Sequence, residues 1–374
     1  MTPAKIPPPM VQPDVSPPDS HPDLLDLGGM TRDGLAAWLA ARGERPYRAE
    51  QILAWVHRRQ ARSFDDMTDV GRALRAELAA AFRLTRPSPR QVERAADGTT
   101  KLLFDFDAPP RSALAETVVI PQHDRAGGAR DRLTLCISSQ AGCGMGCRFC
   151  ATAALGLTRN LGAAEIVAQV AAGAAVAEPA PVTNVVFMGM GEPLANYAAL
   201  RDALGILTAD WGWGLSPRRI TVSTVGLAPL IPVLVAETQV HLAISLHGTT
   251  DVQRERLVPP ARRYPLAVLM AACRSVPLPR RKRITFEYVL LAGENDADAD
   301  ARRLVSLLHG LRAKVNLIPF NPFPGTTFRP SPARRVHDFQ RLLLEHGVSA
   351  TVRETRGADI QAACGQLAGG RHAA

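Results

Sequence analysis

From residue 132 onward the chain alternates short apolar, β-branched runs with amphipathic stretches, and nothing else in it restricts the possible folds so strongly. Strand-like runs occupy 132–138, 184–188, 220–224, 241–245, 283–290, 314–319 and 350–354. Helix-like segments separate them at 163–176, 197–207, 229–237, 265–273, 300–311 and 332–346. Strands that are apolar along their length are buried on both faces, and parallel pairing needs a helical crossover. The pattern therefore predicts an α/β protein with a parallel sheet covered by helices. Periodicity alone does not separate a barrel from a doubly wound sheet. The polar and glycine-rich residues fall just after strand ends, which is the rim where barrel-type proteins place their sites.

The N-terminal part reads differently. Residues 1–27 are rich in Pro, Asp and Ser with no apolar segment after a basic start, so a disordered tail is expected rather than a signal peptide. Residues 28–90 read as a small helical module. Thr31 can cap a helix carrying Leu35, Trp38 and Leu39; Pro46 precedes a second helix; a third runs through Leu74, Leu78 and Phe82. Residues 91–131 hold short strand-like runs, at 101–106 and 116–120, and read as a β linker to the core at 132–369.

The first turn of the alternating region contains Cys143-Gly-Met-Gly-Cys147-Arg-Phe-Cys150. This spacing lets one tight loop aim three thiolates at a single centre. Most iron–sulfur electron carriers use four cysteines, and a site that stops at three keeps an open coordination position, the mark of chemistry at a metal. Structural zinc wants four ligands in paired knuckles, but no second Cys-x-x-Cys exists and no His lies in the loop; the nearest are His123 and His241. Six cysteines in 374 residues are too few for a disulfide-stapled scaffold. A four-iron, four-sulfur cluster with one free iron corner is the reading these ligand rules favour over zinc.

The Cys-x-x-x-Cys-x-x-Cys spacing resembles the signature of radical S-adenosylmethionine (SAM) enzymes. Further segments narrow the resemblance: Cys136-Ile-Ser-Ser-Gln-Ala-Gly-Cys143, Phe187-Met-Gly-Met-Gly-Glu-Pro-Leu194, Asn316-Leu-Ile-Pro-Phe-Asn-Pro-Phe-Pro-Gly325, and the stretch from Arg356 through Cys364 to Gly369. Together they resemble the RNA adenine methyltransferases of the RlmN/Cfr family over about residues 28–369, helical module included. That resemblance implies a partial, six-stranded (β/α) radical SAM barrel with a small N-terminal accessory domain that binds RNA. It implies that Cys143, Cys147 and Cys150 hold one 4Fe-4S cluster, and that Gly191, Glu192, Ser223, Ser245, Leu246, His247 and Asn321 hold SAM. Outside such a family, the short polar groups among these would read as caps or turns.

The resemblance also implies a mechanism for two cysteines outside the loop. Adenine C2 is an electron-poor ring carbon with no lone pair, so direct transfer from a sulfonium fails. Cys364, as the thiolate, takes a methyl group from one SAM. A second SAM is cleaved to a deoxyadenosyl radical, which removes hydrogen from the S-methyl group. The carbon radical adds to C2, joining enzyme and RNA. Cys136 then promotes loss of the ring proton and attacks the sulfur of Cys364, releasing methylated RNA and a Cys136–Cys364 disulfide that must be reduced. Glu116 aligns with a family acid that relays protons. Cys273 belongs to no motif and reads as core.

Glu192 followed by Pro193, the stretch Ile244-Ser-Leu-His-Gly248, and Asn321 followed by Pro-Phe-Pro-Gly all look like the family's C2 enzymes. The implied substrates are one adenosine of 23S rRNA and the adenosine next to the tRNA anticodon. The alternative is a C8 methyltransferase of 23S rRNA, and a rival of another class is a basic RNA-binding module with a structural zinc. A net charge of +9, partly gathered at Arg218-Arg219, Arg262-Arg263, Arg280 to Arg283 and Arg334-Arg335, suits a polyanionic partner but also describes an ordinary solvated surface. An electron donor such as flavodoxin or ferredoxin, a cytoplasmic location, a monomeric state and no membrane span complete the expectations. The chain departs from the family between Gln122 and Arg132, where Gly127-Gly128 suggest a longer loop, and in its Pro-rich tail.

Overall fold

This computed structural model describes residues 24–106, 112–122 and 132–368. Most of the Pro-rich tail and the Gly127-Gly128 loop lie outside the described residues. Residues 24–27, placed in the tail by composition, belong to the helical module: β1 (Leu25–Asp26) pairs with β2 (Phe82–Arg83), and Leu27 is fully buried.

The module consists of α1 (Arg32–Ala40), α2 (Tyr47–His57) and α3 (Arg72–Ala81). Thr31 caps α1, its hydroxyl accepting the Gly34 amide at 3.1 Å. Leu35, Leu39, Ile52, Leu53, Leu74 and Leu78 share a core separate from that of the barrel. Phe82 leaves α3 for the short strand but stays in this core. Trp211, from the barrel, packs against both cores. The contact is close at Gly29, where a Cβ would lie 2.7 Å from the Ala164 amide.

Next come β3 (Gln91–Arg94), β4 (Thr100–Asp105) and β5 (Leu114–Gln122), antiparallel to one another and, through β5, to β6 (Arg132–Cys136). The strands of the 91–131 segment thus continue the barrel's own sheet. A hairpin of β7 (Gln140–Gly142) and β8 (Leu157–Asn160) follows β6 and encloses the one-turn helix α4 (Ala151–Ala154).

The alternating unit then runs α5 (Ala163–Ala177), β9 (Asn184–Phe187), α6 (Tyr197–Thr208), β10 (Ile220–Thr224), α7 (Leu230–Thr238) and β11 (His241–Ser245). It continues with α8 (Asp251–Leu257), α9 (Leu266–Ser275), β12 (Ile284–Leu290), α10 (Asp298–Leu308), β13 (Ala313–Pro319), α11 (Ala333–Glu345) and β14 (Ala350–Val352). Strands β6 and β9 to β14 are parallel in sequential order, the six implied barrel strands plus a short seventh. Helix α8, the β7–β8 hairpin and α4 were not apparent from periodicity. Each is too short to complete a helical or alternating pattern.

Strands β3 and β14 are the two sheet edges, and the chain after β14 crosses the gap between them. Asp97 accepts the Gly357 amide at 3.0 Å, Asp359 accepts the Ala96 amide at 3.0 Å, and Lys101 Nζ donates to the Ile360 carbonyl at 2.7 Å. The C-terminal segment is thereby laid across the rim where the strands end. No helix among the described residues is long and apolar enough to cross a membrane.

Candidate active site

The cysteine loop sits inside the β7–β8 hairpin, whose geometry depends on glycine. Gly142 has φ +74°, and a Cβ there would lie 2.0 Å from the Gly156 carbonyl oxygen. The Cys143 amide donates to that same carbonyl at 2.8 Å, and the Arg148 amide donates to the Leu257 carbonyl at 3.1 Å, so the loop is fixed on two sides. Cys143 and Cys147 are buried and Cys150 is partly accessible. All three line one cavity at the rim of the barrel. Burial pushes the Cys143 thiol up to about 11 and the Cys147 thiol well above its ordinary value. Such thiols ionise readily only against compensating positive charge, which a metal centre provides.

Three soft thiols share one cavity wall, a donor set whose chemistry fits an iron–sulfur cluster. Leu257, Val258, Val289, Leu291, Ile318 and Phe320 form the apolar shell around the loop, as a water-sensitive centre requires.

Across the cavity, the turn after β9 carries Gly189, Gly191 and Glu192. A Cβ on Gly189 would meet the Ile137 carbonyl oxygen at 2.8 Å, and one on Gly191 (φ +101°) would meet Gln140 Cβ at 2.6 Å. The turn is thus pressed against the strand that leads to the cysteine loop. Glu192 is 2% exposed. Its carboxylate accepts the Leu194 amide at 3.0 Å and the Val225 amide at 2.7 Å. Burial still pushes it up to about 7. An ammonium group in the cavity would satisfy it.

Ser223 and Ser245 end neighbouring strands with their hydroxyls 3.3 Å apart, and both line the cavity. His247 is buried with φ +56°, edge-on to Phe149 at 4.6 Å between ring centroids. Its Nδ1 accepts the Val289 amide at 3.0 Å. Burial, helped by Arg254, lowers its pKa to about 3, so the ring is neutral and Nε2 carries the proton. Two expected ligands face elsewhere. Leu246 packs in the barrel core, its amide bonded to the Glu287 carbonyl and its carbonyl to Arg254. Asn321 holds the C-terminal segment, donating to the Cys364 carbonyl at 3.2 Å and accepting the Thr355 hydroxyl at 3.1 Å.

That segment brings Cys364 into the same cavity. The Ala151 amide donates to the Gly365 carbonyl at 2.8 Å, Thr152 Oγ1 to the Leu367 carbonyl at 2.6 Å, and Gln366 Nε2 to the Pro322 carbonyl at 2.7 Å. Glu116 is fully buried; its Oε2 accepts the Ala368 amide at 2.8 Å, and Lys101 Nζ lies 3.6 Å from its Oε1. Cys136, at the end of β6, is buried beneath this segment with Met190, Ala362 and Leu367. Burial raises both thiols, Cys136 to about 12, and the Arg353 guanidinium opposes the rise at each. All six cysteines are free thiols in this structure. Cys273 is core, as expected.

Arg353 and Glu287, both lining the cavity, escaped the sequence reading. A signal existed for Glu287, the one charged residue in β12; for Arg353, one charge just after a short strand gave none. Lys101 and Thr152 were equally silent, because their roles depend on a segment more than 200 residues away.

The described geometry has counterparts. Residues 25–84 match the ribosomal RNA large subunit methyltransferase N-terminal domain, and residues 137–305 match the radical SAM superfamily. A dual-specificity RNA methyltransferase RlmN from Anaeromyxobacter dehalogenans is 48% identical over 93% of both chains. Another from Geobacter sulfurreducens is 48% identical over 92% of both. A crystal structure of a radical SAM methyltransferase from Sphaerobacter thermophilus superimposes with a TM-score of 0.83 at 45% identity, covering 92% of this chain and 99% of that one.

Proposed function

The chain belongs to the RlmN family of dual-specificity RNA methyltransferases, and on that premise we propose that it methylates C2 of adenosine in 23S rRNA and in tRNA beside the anticodon. Membership of the radical SAM superfamily implies a 4Fe-4S cluster and SAM. In this reading Cys143, Cys147 and Cys150 hold the cluster, Gly191 and Glu192 receive the amino group of SAM, and Ser223, Ser245 and the Nε2–H of His247 face its ribose and adenine. Leu246 and Asn321 act indirectly, Leu246 by shaping the strand end and Asn321 by holding Cys364. The bound cluster and SAM supply a carbon radical that removes hydrogen from a methyl group.

Cys364 carries that methyl group. Its thiol must ionise to receive it, and Arg353 is the positive charge that favours ionisation against burial. The carried carbon then attaches to adenine C2. Cys136, under the same segment, accepts the ring proton. As its thiolate then bonds to the Cys364 sulfur, the bond from that sulfur to the carried carbon breaks and the carbon takes up a proton to become the methyl group. The surplus unpaired electron would pass back to the bound cluster, leaving free RNA and a disulfide. Glu116 holds the end of the segment through the Ala368 amide and relays the proton outward. Each turnover consumes two SAM; an electron donor such as flavodoxin or ferredoxin would supply the electron that cleaves SAM, and reduction of the disulfide restores the thiols. The protein works as a monomer in the cytoplasm, its basic patches meeting RNA phosphates.

The observation that best supports the reading is the placement of Cys364. A cysteine more than 200 residues from the loop is anchored into the loop's own cavity, facing Glu287 and Arg353. The test is anaerobic incubation of reconstituted protein with SAM, reductant and an RNA hairpin, followed by nucleoside mass spectrometry. 2-Methyladenosine is the expected product. 8-Methyladenosine, or no methylated base, would overturn the assignment.

A further inference from the structure

Two arginines near the cavity, the buried Arg254 and the half-buried Arg353, are used in opposite ways. Arg254, 1% exposed, is fully engaged: Nε donates to the Leu246 carbonyl at 3.2 Å, Nη1 to the Tyr264 carbonyl at 3.3 Å, and Nη2 to the Val225 carbonyl. It ties strand ends together. Arg353 lines the cavity beside Cys364, yet its only side-chain bond among the described residues runs from Nη1 to Met188 Sδ at 3.8 Å. Thioether sulfur is a weak acceptor. Glu287, a carboxylate that shares the cavity with Arg353, has its Oε2 taken by Asn316 Nδ2 at 2.7 Å. A guanidinium has five donors, and Arg353, half-buried at the cavity wall, has only this weak protein acceptor among the described residues. A molecule entering the cavity can therefore supply a stronger one.

Resting on the function proposed above, we infer that Arg353 orients the target base, donating to a ring nitrogen that flanks C2 of adenine. Three features favour this acceptor. Arg353 lines the same cavity as Cys364, and its charge acts on both Cys136 and Cys364, so what it grips lies near the two sulfurs. The remaining wall offers Phe187, Val289, Ile318 and Phe320, suited to a flat ring. Glu192 and Glu287 line the same cavity, which favours a neutral acceptor over a phosphate. N1 and N3 are the two atoms bonded to C2, so a bond to either fixes C2 against the carried methyl group. A cation there also stabilises electron density pushed onto the ring nitrogens during addition.

The experiment compares the unaltered protein with Arg353→Met on hairpins bearing adenosine, 1-deazaadenosine or 3-deazaadenosine at the target position. Removing a ring nitrogen alters intrinsic C2 reactivity equally in both proteins, whereas a lost contact registers only where the arginine is present. Loss of one charge-assisted bond changes kcat/KM by about 10- to 100-fold. The expected result is that one analogue's penalty shrinks by about that factor in Arg353→Met, a non-additivity of one charge-assisted bond. Arg353→Lys, which keeps a donor, retains most of the sensitivity and serves if the Met variant fails to fold. Penalties that multiply independently for both analogues overturn the inference. So does a weakened Kd for SAM with unchanged discrimination, which would assign the guanidinium to SAM's carboxylate. Failure of the unaltered protein to make 2-methyladenosine from unmodified RNA refutes the function itself, a separate outcome.

Discussion

The C-terminal segment is held to the cysteine loop's helix by the bond from Thr152 Oγ1 to the Leu367 carbonyl, and Thr152→Val isolates its contribution. Both residues are buried, at 3% and 5% exposure, so the carbonyl gains no water when the hydroxyl is lost. An orphaned buried acceptor costs about 1–3 kcal/mol. The valine methyl fills the hydroxyl's volume, so little cavity term is added. Other anchors, at Ala151, Gln366, Glu116 and Asn321, remain in place, so the segment opens locally rather than the whole chain unfolding. At 1.4 kcal/mol per tenfold, opening of the segment should rise about 5- to 150-fold. Native-state hydrogen exchange of peptides spanning 357–368 measures it directly, with iron content and melting temperature as controls. S-methylation of Cys364 should slow in step. Unchanged exchange in this segment, or acceleration spread evenly over the barrel, would refute the idea that these bonds position Cys364.

Cys136→Ala should accumulate a covalent protein–RNA adduct, visible as a shifted band that survives denaturation; recovery of only free RNA and free protein counts against its proton-accepting role. Glu192 titrates near 7 because it is buried, so its carboxylate is neutral below that pH and ionised above it. Calorimetry on ligand-free, cluster-loaded protein should therefore show SAM affinity rising between pH 6 and 8, and a flat profile contradicts the amino-group contact. The same raised value means that Glu192's contribution to stability is complete below about 4.5 and lost as pH climbs through 7, measurable as a falling melting temperature in the ligand-free protein. Gly191→Ala forces a Cβ to 2.6 Å from Gln140 Cβ at φ +101° and should cost about 3 kcal/mol or more, lowering the melting temperature by several degrees.

Much of this site was legible in the sequence because its parts are local. The cysteine loop, the Gly189 to Glu192 turn and the serines at strand ends each occupy a few consecutive residues, and alternation placed all of them on one rim. What stayed hidden depends on distant pairs. Lys101 is an ordinary charge in a strand until the C-terminal segment crosses above it and turns it into a buried anchor, and the bond from Glu116 to the Ala368 amide depends on the same crossing. Asn321 was read as a ligand because its motif is shared; the bond of its amide to the Cys364 carbonyl was not legible, because it spans 43 residues. Arg353 carried no pattern, since one charge after a three-residue strand has no periodicity to betray it. Helix α8, seven residues long, was missed for the same reason, although it supplies Arg254 and Leu257 beneath the loop.

The most direct test uses SAM labelled with a trideuterated methyl group. Cys364 should first acquire the full label in the absence of RNA, seen in the mass of its tryptic peptide. The methyl group later found on adenine C2 should lack one deuterium, the one removed while the carbon was still bound to sulfur. An RNA product that keeps every deuterium, or a Cys364 peptide that is never labelled, would contradict a methyl group carried on Cys364 and attached through its carbon.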